Sequence, residues 1–420
     1  MTQIDSYTNK IKTILPQMVE WFNVISTLYF IASLILSFKY QKPAIYIYSI
    51  STAIDIIINK RYLNAKWDKT KYTFIIMITY YSCIWIWHIF EQCNSTIFFH
   101  STDTRLPFLI FGILGLCFNI NPKIKLSYIA YTMIISAITA VIYVILRKYD
   151  IIFTPTTTID LFRQLLPHIR HELLHVTHIE FNVYLNCAMS MCFIQFMESN
   201  KRVEKILLTS SIIFIFIALL LNEGRTGFAT ASILFFIFIV ITIYYYKPKF
   251  LIPTLLVFII TIVLFINGHE RLNIDNIEHD PRGSIWKLTT EIIKEEPLFG
   301  HGVCCGRQLF VERSINNPNM THFWEHWYQL YPNYNKNRFH CHNAYLESML
   351  EFGVFGMIIT ILIFLLPILL LTNKKQLYLS LFILIFSIQA MFESFTFHLQ
   401  IILFCWLIYF FTNIKQIDSN

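Results

Sequence analysis

Three short stretches of this chain carry side chains able to move protons or to hold anions. The most specific is Phe339-His340-Cys341-His342-Asn343-Ala344-Tyr345-Leu346-Glu347, continuing through Glu351-Phe352-Gly353-Val354-Phe355-Gly356. Imidazole is the side chain best suited to take a proton from a hydroxyl near neutral pH, and a carboxylate can hold its tautomer. His340 and His342 stand just ahead of Glu347 and Glu351, which share one helical face at i, i+4 spacing, and Asn343 is suited to cap that helix. The bland alternative is two histidines solvated in a loop.

The second stretch is Asp280-Pro281-Arg282-Gly283-Ser284-Ile285-Trp286, followed by a helical run to Glu296 and then Pro297-Leu298-Phe299-Gly300-His301-Gly302. It reads as turn, amphipathic helix, turn. Ile285, Leu288, Ile292 and Ile293 mark an apolar face, so the expectation is a helix lying on the membrane surface with Arg282 near its start. The third is Asn222-Glu223-Gly224-Arg225-Thr226-Gly227, which puts Arg225 at membrane depth. An arginine there is costly unless it faces a polar cavity or an anion; the plain alternative is an interface arginine paired with Glu223.

One competing pattern asks for a metal. His171-Glu172-Leu173-Leu174-His175 matches the zinc-protease signature, and His168 and His178 extend the same helical face if Pro167 starts a helix. No obvious third carboxylate ligand follows, so an incidental or acceptor-binding histidine face is the preferred reading, with a membrane zinc protease as a remote alternative.

The elements that must position these groups are membrane helices. Of 420 residues, 55% are hydrophobic and 14% charged, with a mean hydropathy of +0.53, whereas ordinary soluble chains carry about 25% charged residues. This excludes collagen-like and disordered classes and predicts an all-α polytopic protein. The nine cysteines define no metal spacing. The net charge of +7 comes from basic residues grouped between apolar runs, which is a topology signal rather than a nucleic-acid stripe.

Twelve runs fit a bilayer core, near 19–37, 43–59, 72–90, 106–120, 126–146, 180–197, 206–221, 228–246, 250–266, 353–372, 377–391 and 396–412. The chain thus divides into nine spans over 1–266 with a loop at 147–179, a polar loop over 267–352, and three spans over 353–420. Lys and Arg concentrate in alternate connections, which predicts cytoplasmic termini and places both long loops outside. The 267–352 loop holds seven of the fourteen histidines and is the expected catalytic subdomain. No cleavable signal peptide is expected.

Taken in order, Gly-Arg-Thr-Gly at a span boundary, Arg-x-x-x-Trp with Pro-Leu-Phe-Gly-x-Gly, and His-x-His-Asn-x-Tyr-Leu-Glu with Glu-x-Gly-x-x-Gly resemble the O-antigen ligase and O-antigen polymerase superfamily. The resemblance covers about residues 178–400 and includes Phe392-Glu393-Ser394. It departs at Glu223-Gly224, where the family commonly has a serine before the arginine, and at Cys304 and Cys305, which extend the glycine turn. The resemblance implies a C-type glycosyltransferase of the inner membrane that uses neither nucleotide sugar, metal nor other cofactor. Its donor would be an undecaprenyl-diphosphate-linked glycan; its acceptor would be lipid A-core for a ligase, or a growing O-antigen, capsule or exopolysaccharide chain for a polymerase. By the same resemblance Arg225 and Arg282 would hold the diphosphate and His342 would orient or deprotonate the acceptor hydroxyl. His340 and Glu347 would support it, and His178, Trp286 and Asn343 are candidate acceptor contacts. A transporter of lipid-linked sugars is the remaining alternative, disfavoured because a carrier needs no base in an outside loop.

Overall fold

The structure is a computed structural model that describes residues 2–36, 38–62, 67–90, 95–147, 174, 176–222, 224–246, 281–321, 323–325, 339–371, 373–394 and 398–414. The ninth expected span, most of the 147–179 loop with His168, His171 and His175, and Glu223 lie outside these residues, as does the side chain of Arg225.

The described residues are all-helical. In chain order the helices are α1 (Thr2–Ser33), α2 (Phe38–Ile58), α3 (Lys71–Phe90), α4 (Ser95–Cys117), α5 (Leu126–Arg147), α6 (His178–Glu198), α7 (Arg202–Leu221), α8 (Arg225–Tyr246), α9 (Pro281–Ile293), α10 (Val303–Ile315), α11 (Ala344–Leu370), α12 (Asn373–Phe392) and α13 (His398–Asn413). Among the described residues, six of these are long and apolar enough to cross a membrane: α3, α5, α7, α8, α11 and α12. A helix satisfies its own backbone groups, which is why such apolar runs fold this way.

Side-chain contacts sort the helix ends into two groups. At one end Arg61 pairs with Glu20 at 2.8 Å and Asp55 at 2.9 Å, and Lys123 pairs with Glu20 at 2.7 Å, tying α1 and α2 to the α4–α5 connection. Lys374 reaches Glu198 at 3.0 Å, so α12 begins where α6 ends. From there the two run antiparallel, while Phe193 meets Phe238 and Asn182 lies against Gly227, so α6 and α8 run parallel. The start of α6, the start of α8 and the end of α12 therefore share the other end of the bundle.

The helix that carries the fourth run begins ahead of it: α4 starts at Ser95, and Arg105 is inside it, 1% exposed, because Glu351 of α11 supplies a counter-charge. One expectation is corrected: the apolar face of α9 does not rest on lipid. Ile285, Leu288, Ile292 and Ile293 are buried against Phe310, Val311, Met320, Trp324, Phe339 and Leu350, forming a second hydrophobic core separate from that of the bundle. Burial against protein satisfies the same amphipathic pattern that a membrane surface would.

That small core is joined to the bundle by backbone. The His301 and Gly302 N–H groups donate to the carbonyls of Leu350 and Glu351 at 2.8 and 2.9 Å, and the Val354 N–H donates to Pro297 at 2.9 Å. The last joint falls on a kink in α11, where Gly353 adopts φ +65°.

Candidate active site

His342 sits in the left-handed region at φ +50°, a conformation that costs any residue with a Cβ free energy and is held here by its surroundings. Its N–H donates to His340 Nδ1 at 3.2 Å, which keeps the two rings 4.1 Å apart. Its own Nδ1 lies 3.0 Å from Oε2 of Glu393. A carboxylate only accepts, so the proton is on Nδ1 and the Nε2 lone pair is left to act as a base.

The second oxygen of Glu393 accepts from Arg282 Nη2 at 3.0 Å. One buried carboxylate at the end of α12 therefore aligns a histidine from the loop and an arginine from α9. Glu393 is 3% exposed while the Arg282 and His342 side chains are 30% and 25% exposed, so both reach solvent from a buried support.

His340 is a different kind of histidine. Because Nδ1 accepts the His342 amide, its ring proton belongs on Nε2. Burial holds its pKa well below the ordinary imidazole value, and the neighbouring His342, Arg307, Arg282 and His100 act in the same direction. A neutral His340 is what the hydrogen bond to His342 requires.

Glu347 is placed on Arg307 Nη2 at 2.7 Å, not on either histidine. Arg307 also faces Glu351 at 3.9 Å, and Glu351 closes on Arg105 at 2.8 Å. The four side chains are 5% exposed or less, and their charges cancel across α4, α10 and α11. Asn343 caps α11, its Oδ1 accepting from the Tyr345 and Leu346 N–H groups at 3.0 Å, and its Nδ2 donates to the Met391 carbonyl at 2.9 Å. One end of this side chain thus caps α11 while the other ties the histidine turn to α12. Trp286, one turn after Arg282, sets its ring 6.0 Å from Phe392, and its buried Nε1 has no hydrogen-bond partner among the described residues.

Arg225 opens α8, and its turn is seated on α6. Asn222 Nδ2 donates to Asn182 Oδ1 at 2.6 Å and Asn186 Nδ2 to the Gly227 carbonyl at 3.1 Å. A Cβ on Gly227 would come within 2.5 Å of Asn182, so the second glycine of the motif permits this approach. His178 lies beside Gly224 at the start of α6.

Residues 210–361 match the family model described as O-Antigen ligase. The match is consistent with the O-antigen ligase and polymerase superfamily and spans Arg225, Arg282, His340, His342 and Glu347, while Glu393, Arg105 and His178 fall outside it. The search of curated proteins finds no match.

Sequence reasoning did not single out Glu393, Arg307 or Arg105 as site residues. For Glu393 a signal existed: it is the only carboxylate between residues 353 and 414, and an acid at the end of a membrane helix is costly without a partner. His340, His342 and Glu393 also bring three potential metal-ligating atoms within 4.8 Å of one another. A cation there would have to displace or tolerate Arg282 on the same carboxylate.

Proposed function

We propose that the chain transfers a glycan from undecaprenyl diphosphate to an acceptor hydroxyl, most specifically as a ligase onto lipid A-core, with polymerisation of the same donor as the second reading. The observation that carries this is Glu393, which holds an anion-binding guanidinium and a proton-accepting imidazole side by side. His342 Nε2 takes the acceptor's proton as its oxygen bonds to the anomeric carbon, and the bond to the diphosphate breaks. Glu393 stabilises the imidazolium that forms. Arg282, a planar permanent cation, receives the charge developing on the leaving group, and Arg225 is its expected partner at the same end of the bundle. Two arginines supply the neutralisation that a metal would otherwise provide, so the transfer is metal-independent.

Two observations support an outward-facing site. Basic residues gather at the opposite end of the bundle, as retained cytoplasmic connections do. Cys304, at the first turn of α10, is disulfide-bonded, which suits an oxidising compartment such as the periplasm. Twelve spans with cytoplasmic termini remain the topology that fits these facts.

Deleting the gene and resolving surface polysaccharide on a gel tests the reading. Loss of all long chains from lipid A-core, with polymer accumulating on the carrier lipid, identifies a ligase; a single-repeat band identifies a polymerase. An unchanged ladder in a strain without a redundant enzyme overturns both.

A further inference from the structure

The first three turns of α4 are unlike the rest of that helix. Ser95 to Arg105 reads Ser-Thr-Ile-Phe-Phe-His-Ser-Thr-Asp-Thr-Arg, and the remainder to Cys117 carries no charge. Arg105 turns inward to Glu351, but Asp103 turns outward and makes no hydrogen bond or ion pair among the described residues. It sits on the same helical stripe as Phe99, Ile110 and Ile113, which are 63%, 46% and 44% exposed. A carboxylate on an otherwise apolar exposed stripe favours a hydrated or ligand-filled recess.

Such a recess exists. Tyr81 of α3 with Phe99, His100, Thr102, Asp103 and Leu106 of α4 lines an open hollow of about 470 Å³, within the range of about 300–1,000 Å³ typical of small-molecule sites. It lies at the same end of the bundle as the histidine turn: Trp87, later on α3, donates to the Phe299 carbonyl at 2.6 Å, and Arg105 reaches Glu351, whose carbonyl accepts from Gly302. His100 is also near enough to His340 to act on its charge. Contacts link Arg282, Glu393, His342 and His340 in turn, and the recess lies at the same end of the bundle.

Resting on the transfer reaction above, we propose that this recess between α3 and α4 binds the glycan head of a membrane-anchored acceptor. The charges decide which substrate goes where. A diphosphate is repelled by Asp103 and drawn to Arg282, whereas a sugar offers hydroxyls that a carboxylate, an imidazole and a threonine can bind and a ring face that Phe99 or Tyr81 can cover. The outward Ile110 and Ile113 continue the same stripe toward the bundle's centre and offer acyl chains a path along it. An acceptor with both a hydroxyl-rich head and a lipid anchor matches both halves of this surface.

The test uses the full-length protein in nanodiscs, with lipid A-core from an O-antigen-deficient strain as probe. Asp103→Asn and Phe99→Ala alter exposed side chains, so folding is preserved and is checked by thermal unfolding. Both variants should weaken acceptor binding and raise the acceptor KM by tenfold or more, while undecaprenyl diphosphate binding stays within twofold of wild type. The lipid-free core oligosaccharide should also bind and show the same dependence on Asp103. Unchanged acceptor binding in both variants overturns the proposal, as does equal weakening of the donor, or displacement of the acceptor by phospholipid with no binding of the lipid-free oligosaccharide. If wild type binds the oligosaccharide through Asp103 but transfers nothing, the recess stands as a glycan site and the transfer reading fails.

Discussion

His342 and Glu393 are 51 residues apart in sequence and 3.0 Å apart in space, Nδ1 to Oε2, although one belongs to a loop turn and the other to the end of a membrane helix. This pairing fixes which ring nitrogen is the base. Glu393→Gln preserves the shape but lets an amide donate to Nδ1, which favours the wrong tautomer and removes the charge facing the imidazolium. The expected loss in kcat is about 10²-fold or more, with His342→Ala losing about 10²–10⁴-fold. Turnover of purified variants across pH checks it; a Glu393→Gln enzyme with wild-type kcat and pH profile rules out the pairing as functional.

Arg282→Lys keeps the charge and loses the fork. If a guanidinium spans both Glu393 and a phosphate oxygen, lysine cannot replace it, and the rate should fall by about 10²–10³ for Arg282 and for Arg225 alike. Donor binding measured apart from turnover should weaken in both variants, whereas His342→Ala should leave it near wild type. The reverse pattern would exchange the roles of arginine and histidine.

How much of this was legible in the sequence depended on the range of the interaction. The histidine turn, the Asn343 cap and the Arg282 turn were readable because each is local: a cap needs only its own next three residues, and the Pro297–Gly302 and Gly353 turns announce themselves by glycine. The apolar face of α9 was equally readable, but not what it covers, since lipid and a protein core select the same side chains. Glu347 shows the opposite limit. Its spacing to Glu351 was correct, yet its counter-charge comes from Arg307, forty residues back, and the partner of Glu351 is Arg105, 246 residues back. No periodicity encodes a partner at that distance.

Those buried pairs should be sensitive to removal of one member. Glu351→Met strands Arg105 in a site 1% exposed and should cost about 3–5 kcal/mol, whereas Arg105→Met leaves Glu351 with only Arg307 at 3.9 Å and should cost less. The double variant should recover much of that loss. Thermal unfolding in detergent, arranged as a double-mutant cycle, measures the coupling; additive losses would show that the two charges do not depend on each other.

Acidification should loosen the histidine turn. Burial holds the His340 pKa below the unfolded value of about 6.5, so the unfolded chain binds this proton first. The stability contributed by neutral His340 is full above about pH 6.5 and declines as pH falls from there toward the depressed folded-state pKa. Thermal stability of wild type should therefore drop between about pH 6.5 and 5, and His340→Gln, which cannot charge, should flatten that part of the curve. An identical slope in the variant assigns the acid sensitivity elsewhere.

The glycine pair sets the last prediction. A Cβ on Gly300 would lie 2.5 Å from the Gly353 nitrogen, and one on Gly353 would lie 2.2 Å from the Leu298 carbonyl oxygen, while both residues have positive φ, +68° and +65°. Alanine at either position carries a positive-φ strain of roughly 1–3 kcal/mol and must also push two backbones apart. The Val354 to Pro297 hydrogen bond spans the same joint, so the loop core carrying Arg282 would shift against the helix carrying the histidine turn. Gly353→Ala should lower both the unfolding temperature and kcat. Gly283→Ala makes a matched control: its Cβ meets nothing within 4 Å, and stability should stay within about 0.5 kcal/mol of wild type. If Gly353→Ala retains full turnover, the joint does not position Arg282 against His342, and the site's alignment must come from Glu393 alone.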